Sequence, residues 1–197
     1  MPAKFELIAP CFFGCESTAK FELTRIGAEN IRVEDGRLSF CGGAEMIAAA
    51  KKVSAISENF VIKIPCTEAG VAAARRLEKE GIRTNVTLVF SPAQAIWPAK
   101  NGSLFVSPFL GWKEANGEDC KQYIKDIVDI YKNYGFYGKT QIICAAIRTP
   151  KQIVDCAVAG ADIVTTGLAV YQDAIKHAYT RQGIETFINA WDNTVTE

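Results

Sequence analysis

The stretch IICAAIRTPKQIVDCAVAGADIVTT, residues 142–166, decides the fold because it contains a complete strand-helix-strand unit. An apolar run over 140–147 predicts a strand, and a second one over 162–168 predicts another. Between them, the Thr149-Pro150 pair supplies a helix N-cap and a first helical residue, and Gly160 ends the helix. Strands that are apolar almost throughout are typical of a parallel sheet covered by helices.

Outward from this unit, the alternation of strand and helix continues from residue 44 to the end of the chain. The predicted strands are 60–65, 85–90, 103–109, 140–147 and 162–168, and the predicted helices are 44–57, 68–80, one starting at Pro92, 119–134, 150–160, 170–178 and 184–191. The strands recur about every 25 residues, which is the repeat of a compact (β/α) barrel. We therefore predict an α/β fold of the parallel TIM-barrel type with five such units.

The start of the chain has a different pattern. A strand over 5–9, a helix over 17–26 and a hairpin of 30–33 with 37–40 around Glu34-Asp35-Gly36 give the order β-α-β-β. This is the order of a small α+β module and not of repeated barrel units. We expect a boundary near residues 40–44, which divides the chain into an atypical N-terminal segment, 1–43, and a barrel portion, 44–197.

Composition excludes several classes of protein. The 197 residues are 49% hydrophobic and 22% charged, and Lys plus Arg equals Asp plus Glu at 22 each, so the formal net charge is zero. A chain of this kind is not disordered, and it has no overall field that would attract nucleic acid or an anionic membrane. The apolar runs are too short to span a membrane, and the first ten residues show no signal-peptide pattern. We expect a cytoplasmic protein.

The cysteines and the histidine argue against a metal centre. The seven cysteines are irregularly spaced without a CxxC pair, and His177 is the sole histidine. A zinc site and a Ser-His-Asp triad therefore have little support. We predict reduced thiols, no metal and no cofactor.

Lys63 interrupts the otherwise apolar strand FVIKIP, residues 60–65. Lysine is rarely buried without a reason, and strand alternation places Lys63 on the same face as Val61 and Pro65. If that face points into a barrel, partial desolvation lowers the pKa of the amine and makes it a nucleophile towards carbonyl groups. The alternative is an edge strand from which Lys63 extends into water. The spacing alone leaves both open.

Other polar residues lie on the following strands or at their carboxyl ends, where barrel active sites are built. They are Thr87, Ser107, Phe109, Ala146, Arg148, Thr165 and Thr166. Together with Lys63 they predict a cavity with one amine, a few hydroxyls and one guanidinium suited to a phosphate or a carboxylate. Each residue alone is common at a strand end, and Arg148 alone is also compatible with a plain surface cation.

Residues 44–193 resemble the transaldolase family, which includes the fructose-6-phosphate aldolases. The matching segments are FVIKIPCTEAG (60–70), GIRTNVTLVFSPAQA (81–95), FVSPFLG (105–111), IICAAIRTPKQIVDCAVAGADIVTT (142–166) and GIETFINAW (183–191). The resemblance implies that these units are strands four to eight of a barrel. It also implies sugar-phosphate substrates, pentose-phosphate-type carbohydrate metabolism, and a homo-oligomer formed through terminal helices such as 184–191.

The resemblance implies a Schiff-base mechanism. Lys63 would attack the ketone of a sugar phosphate, and the dihydroxyacetone unit retained on it would add to an acceptor aldehyde. Thr87 matches a threonine that holds the catalytic water, and Ser107 matches a serine that contacts substrate. The remaining implied substrate-binding positions are Phe109, which favours transfer over simple cleavage, Arg148, which matches a phosphate-binding position, Ala146 and Thr166.

The chain departs from the family pattern at several points. Trp112 stands where the family usually has an arginine, and Ala146 stands where it usually has a phosphate-contacting serine. Residues 1–43 contain no recognisable aspartate-bearing first strand and no TTNP-like second strand. The family's acidic or amide partner for the catalytic water is not recognisable either, so the expected general acid/base is missing.

Residues 5–40 weakly resemble the N-terminal module of THUMP-type RNA methyltransferases, which suggests a fusion or a chimera. Three functions follow from the sequence: an active transaldolase-like enzyme, a chimeric or truncated barrel without activity, and an RNA-associated module through residues 1–40. The charges of the front segment disfavour RNA binding, because its lysines and arginines are offset by Asp and Glu without a basic stripe.

Overall fold

The computed structural model describes residues 5–10, 17, 20, 24, 29–34, 37–42 and 44–194. Within these residues, five strands form one parallel sheet in the order β4-β5-β6-β7-β8. They are β4 (Ile62–Pro65), β5 (Thr84–Val89), β6 (Phe105–Pro108), β7 (Gln141–Ile147) and β8 (Ile163–Thr166). All five coincide with predicted strands, so the parallel α/β sheet expected for a barrel-type fold is confirmed.

A helix follows each strand of this sheet, and another precedes it. The helices are α1 (Ala44–Ser54), α2 (Glu68–Lys79), α3 (Pro92–Asn101), α4 (Gly111–Glu114), α5 (Cys120–Asn133), α6 (Pro150–Ala159), α7 (Leu168–Ile175) and α8 (Ala178–Asp192). Side-chain caps start several of them, because the first backbone N–H groups of a helix lack internal partners. Ser91 accepts from Gln94 N, and Asp119 accepts from Gln122 N. Thr149 and Gln152 form a reciprocal capping box at α6.

The core lies between the sheet and the helices α3, α5 and α6. Buried apolar side chains such as Val106, Ile124 and Ile142 contribute to it. Two buried tyrosines of α5 satisfy their hydroxyls on neighbouring backbone: Tyr123 donates to Val89 O at 2.8 Å, and Tyr131 donates to Ala95 O at 2.7 Å. These bonds connect α5 to β5 and α3, so the helix layer holds the carboxyl end of the sheet in place.

A second, antiparallel sheet in the order β1-β3-β2 lies at the start of the chain. Its strands are β1 (Phe5–Pro10), β2 (Glu29–Glu34) and β3 (Arg37–Gly42), and β1 lies next to β4. The predicted hairpin is confirmed by the register Glu34 to Arg37. Of the predicted helix over 17–26, only Ser17, Lys20 and Thr24 are described, and their backbone is helical. The domain boundary near 40–44 stays a prediction.

The terminal helices differ most from the sequence-based expectation. The predicted break before residue 184 is wrong, because α8 already begins at Ala178 and continues through Gly183. Glycine in a helix interior costs about 1 kcal/mol relative to alanine. Here, the cap that His177 Nδ1 provides to Tyr179 N supports the earlier start.

Neither α7 nor α8 contains a buried residue. Each carries an exposed apolar stripe: Leu168, Tyr171 and Ile175 on α7, and Ile184, Phe187, Ile188 and Trp191 on α8. The spacings i, i+3, i+7 and i, i+3, i+4, i+7 place each set on one helix face. Among the helices of the described residues, none is long and apolar enough to cross a membrane.

Candidate active site

Four polar residues share one face of the parallel sheet, and we call Lys63, Asn85, Thr87 and Ser107 the lysine face. The strand register places Lys63 beside Asn85, and Thr87 beside Ser107. Because side chains alternate along a strand, Asn85 and Thr87 both point to the side of the sheet that Lys63 occupies. The structure therefore brings together three of the predicted site residues and adds Asn85.

The lysine face is turned away from the helices. The alternate residues of the same strands, Ile64 and Val86, are buried in a cluster with Ala73, Ala74 and Leu77 of α2. Lys63 itself is half-buried, on the strand at one end of the parallel sheet. Its environment is therefore intermediate between the two sequence-based alternatives: partly shielded from water, yet on an outer strand that lies next to β1.

Thr87 occupies the centre of the lysine face and is fully buried, with 0% of its surface exposed. Among the described residues, none forms a hydrogen bond with its hydroxyl, Oγ1. A buried hydroxyl without a partner costs roughly 1–3 kcal/mol, so such groups are rare and each one calls for an explanation. The hydroxyl of Thr87 is thus a candidate ligand-binding group of this face.

Ser107 and Asn85 form a direct pair across two strands. Ser107 Oγ donates to Asn85 Oδ1 at 2.7 Å, and Ser107 is 1% exposed. Sequence reasoning missed Asn85 as a site residue, although a signal was present: Asn85 lies two positions before Thr87 in an apolar strand. The same alternation that places Lys63 with Pro65 would have placed Asn85 with Thr87.

Two strands of the site end in an unusual backbone conformation. Leu88 on β5 and Ala146 on β7 have φ of 57° and 59°, and the register of each strand shifts at that point. Positive φ is strained for residues with a side chain, and bulges of this kind redirect the residues that follow. After Ala146 the chain turns towards Arg148, so the predicted substrate contacts at these two positions share one irregular strand end.

Arg148 lies against the loop after β6. Its Nε would be 3.0 Å from a Cβ placed on Gly111, and the Ala146 carbonyl oxygen would be 2.3 Å from that Cβ. Only glycine permits this close approach. As a residue Arg148 is exposed, which suits a side chain that meets an anion from solution.

Replacing Gly111 with alanine should therefore destabilise the fold and displace Arg148. The clash with a backbone oxygen cannot be relieved by a rotamer change, so we expect a loss of about 1–3 kcal/mol in the free energy of unfolding by urea. Gly183→Ala is the matched control, because a Cβ there meets nothing within 4 Å and should stabilise α8 by about 1 kcal/mol. Equal stabilities of the two variants would contradict the close packing of these loops.

Phe109 belongs to an aromatic cluster at the ends of β5 and β6. Its ring lies 5.6 Å from that of Phe90 and 5.8 Å from that of Trp112, and Phe90 stacks on Trp112 at 5.6 Å. Phe109 is buried, whereas Trp112 is exposed. Trp112, which stands where the family usually has an arginine, thus adds to an apolar surface and supplies no cation.

Thr166 lies farther from Lys63, on the last strand of the sheet. Its hydroxyl donates to Ile147 O at 2.7 Å, and it shares a strand face with Val164, which packs against the helix-side core. Its role as a substrate contact stays a prediction. Thr165, the neighbouring residue, is exposed.

Two grooves of the described residues lie elsewhere. One of about 870 Å³ and one of about 400 Å³ run between α2 and α3, and Lys63 lines neither. Cys66 borders the smaller groove, and burial raises the pKa of its thiol to about 11. Cys66, Cys120, Cys144 and Cys156 are free thiols, and the described residues contain no group of three or more His, Cys, Asp or Glu that could hold a metal ion.

A parallel sheet of βα units is the architecture of a barrel-type α/β protein, and its candidate site is the lysine face, with a lysine, an amide and two hydroxyls on neighbouring strands. The chain belongs to the transaldolase/fructose-6-phosphate aldolase family, whose pattern matches residues 35–197. The family resemblance seen in the sequence is thereby confirmed.

Curated relatives agree with this family. A "6-deoxy-6-sulfo-D-fructose transaldolase" of Priestia aryabhattai is 60% identical over 153 residues, which are 78% of this chain and 67% of that protein. A "Probable transaldolase 1" of Listeria monocytogenes is 45% identical over 75% of this chain and 68% of its own length. A "Probable transaldolase" of Nitrosopumilus maritimus is 38% identical over 93% of this chain and 81% of its own.

The start of the chain matches a second family. The RlmL ferredoxin-like domain matches residues 6–53, which confirms the weaker resemblance of the front segment to an RNA methyltransferase module. The two matches overlap over residues 35–53. The predicted boundary at 40–44 falls inside this overlap.

Proposed function

We propose that the chain is a Schiff-base transaldolase that moves a dihydroxyacetone unit between sugar phosphates. The observation that carries the proposal is the lysine face, which combines a half-buried amine, an amide-hydroxyl pair and a fully buried hydroxyl without a hydrogen-bond partner among the described residues. An amine that is partly shielded from water is suited to condense with a carbonyl group.

The proposed reaction starts with attack of Lys63 Nζ on the C2 carbonyl of a ketose. The carbonyl oxygen leaves as water, and an iminium ion forms. The C3–C4 bond then breaks as the C4 hydroxyl loses its proton, the electron pair moves towards the iminium nitrogen, and an aldehyde departs. The enamine that remains adds to an acceptor aldehyde, and water hydrolyses the product from Lys63.

Each neighbour of Lys63 has a proposed role. Thr87 Oγ1 holds the water that leaves and later re-enters, because it is buried on this face and forms no hydrogen bond with another described residue. Ser107 contacts a substrate hydroxyl, and its bond to Asn85 Oδ1 fixes its orientation. Phe109 offers no hydroxyl that could protonate the enamine, which favours transfer to an acceptor over simple cleavage.

Arg148, beside Ala146, is the proposed anion-binding residue of the donor. An exposed arginine at a strand end presents paired N–H groups that match a tetrahedral oxyanion. The 60% identical relative is named for a sulfosugar, so a 6-deoxy-6-sulfo-ketose is a second candidate donor. Sulfonate and phosphate share the same tetrahedral arrangement of oxygens, and Trp112 and Ala146 leave few polar groups to distinguish them.

Borohydride trapping tests the proposed chemistry. Incubation with fructose 6-phosphate and reduction should attach a dihydroxyacetone-derived mass to Lys63, which peptide mass spectrometry would locate. No adduct with either fructose 6-phosphate or 6-deoxy-6-sulfofructose would support the alternative of a barrel without activity. We propose a cytoplasmic setting and carbohydrate metabolism of the pentose-phosphate type, and the four free thiols among the described residues are compatible with a reducing compartment.

Oligomer formation through α8 is a further part of the proposal. Phe187 and Trp191 are 76% and 80% exposed, and a continuous apolar stripe of this kind marks a protein-protein contact. We expect the Phe187→Glu/Trp191→Glu variant to shift towards the mass of one subunit in light scattering after size exclusion. Thr186→Glu, on another side of the same helix, is the control. An unchanged mass in the double variant would exclude this contact.

A further inference from the structure

Gln152 has more hydrogen bonds than its place in a helix cap requires. It is 2% exposed, and its Oε1 accepts from Arg148 N at 2.6 Å and from Thr149 N at 3.2 Å. In an ordinary capping box, the side chain at this position accepts a hydrogen bond only from the backbone N–H of the N-cap residue, which here is Thr149. The additional bond fixes the backbone of Arg148, the residue that precedes the cap.

The other end of the Gln152 amide reaches a different loop. Nε2 donates to Glu114 Oε2, at the end of α4, and thereby links residues 38 apart in the sequence. The first residue of α4 is Gly111, against which the side chain of Arg148 packs. One buried amide thus joins the loop that carries Arg148 to the loop over which Arg148 lies.

Backbone hydrogen bonding joins the same two loops at the residues just before them. Leu110 N donates to Ala145 O at 3.0 Å, and Phe109 bridges to Ala145. Beyond this ladder, β7 bulges at Ala146, so regular strand pairing no longer fixes the direction of the chain. Beyond the bulge, the hydrogen bonds of Gln152 fix the backbone of Arg148 where strand pairing no longer does.

We infer that Gln152, together with Glu114, positions Arg148 to bind the tetrahedral oxyanion of the donor sugar. The inference rests on the proposed function for the identity of the sugar. Gln152 is a positioning residue, since it acts through the backbone of Arg148 and through the α4 loop.

The chemistry of the pair explains why an amide is required. Glutamate is a good residue at this capping position, so Gln152→Glu keeps the acceptor for Arg148 N and Thr149 N. It removes the donor to Glu114 and places two carboxylates in contact, which repel each other. Exchanging the partners in Gln152→Glu/Glu114→Gln restores a donor and an acceptor in reversed order.

Two readouts test the inference. The first is the affinity for inorganic phosphate, measured by calorimetry on the wild type and on both variants. We expect Gln152→Glu to weaken binding about tenfold and the exchanged pair to recover most of it, with Arg148→Met as the variant without the guanidinium. The second is the Michaelis constant for fructose 6-phosphate, which should rise about tenfold, against less than twofold for dihydroxyacetone, which carries no anion.

The outcomes separate this inference from the proposed function. Equal phosphate affinities of the wild type and Gln152→Glu, or phosphate binding that persists in Arg148→Met, would overturn the positioning role even if Lys63 forms its adduct. A similar rise of both Michaelis constants would indicate a structural effect and would also overturn it. If no adduct forms but phosphate affinity follows the variants as expected, the positioning role is supported and the transaldolase assignment fails.

Discussion

Lys63→Met should reduce transfer of the dihydroxyacetone unit at least about 1000-fold and abolish the borohydride adduct. The reason is that the amine is the nucleophile of the proposed reaction, and loss of a covalent nucleophile typically costs several orders of magnitude in rate. The measurement is the rate of ketose cleavage with an acceptor aldehyde present, together with the mass of the reduced protein.

Two controls make this result specific. Lys63→Arg keeps the positive charge, yet a guanidinium stays protonated and cannot condense with a carbonyl, so it should be as inactive as Lys63→Met. Lys121→Met changes an exposed lysine at the start of α5 and should retain normal rates. Substantial activity in Lys63→Arg would show that position 63 contributes charge and not a covalent bond.

Thr87→Val should make the protein more stable and about 100-fold less active. Valine has nearly the shape of threonine, and the change removes a buried hydroxyl that no described residue satisfies. We expect the free energy of unfolding to rise by about 1 kcal/mol. The rate falls because the water of Schiff-base formation loses its hydrogen-bond partner, and a positioned proton-transfer network contributes about 10²–10⁴-fold.

Thr140→Val is the matched control for this prediction. Thr140 is also buried, but its hydroxyl donates to Ser103 O at 2.7 Å. The same substitution there leaves a buried carbonyl without its partner and should lower the free energy of unfolding by about 1–3 kcal/mol, with little effect on the rate. If both variants lost stability, Thr87 would be an ordinary structural threonine.

Local sequence signals predicted the elements of the parallel sheet well. The Thr149-Pro150 start and the Gly160 end of α6 rest on capping and on a left-handed glycine, with φ of 96°, and both depend on neighbouring residues only. Lys63 was proposed from strand alternation, which is a local rule, and Thr87 and Ser107 were proposed from their places on successive strands and from the family resemblance. The same alternation would have added Asn85, which lies two positions before Thr87. Only the pairing of strands could show that Asn85 also lies beside Lys63.

Contacts between distant loops could not be predicted in this way. The hydrogen bond from Gln152 to Glu114 joins residues that are 38 positions apart. The approach of Arg148 to Gly111 depends on a bulge at Ala146, and the residue types around Ala146 do not predict that bulge. Alanine has no preference for positive φ, so the surrounding packing imposes this backbone conformation. The break predicted between residues 178 and 184 was wrong, because His177 caps a helix that begins at Ala178 and continues through Gly183.

The strained backbone at Leu88 and Ala146 also has a consequence for how this protein can evolve. A side-chain-bearing residue in left-handed backbone costs roughly 1–2 kcal/mol, so glycine or asparagine at either position would by itself make the fold more stable. Glycine there would also let the following segments swing more freely, and those segments carry Phe90 and Arg148. Lineages adapted to hot habitats are therefore expected to keep these two unfavourable residues and to gain their stability in other parts of the chain.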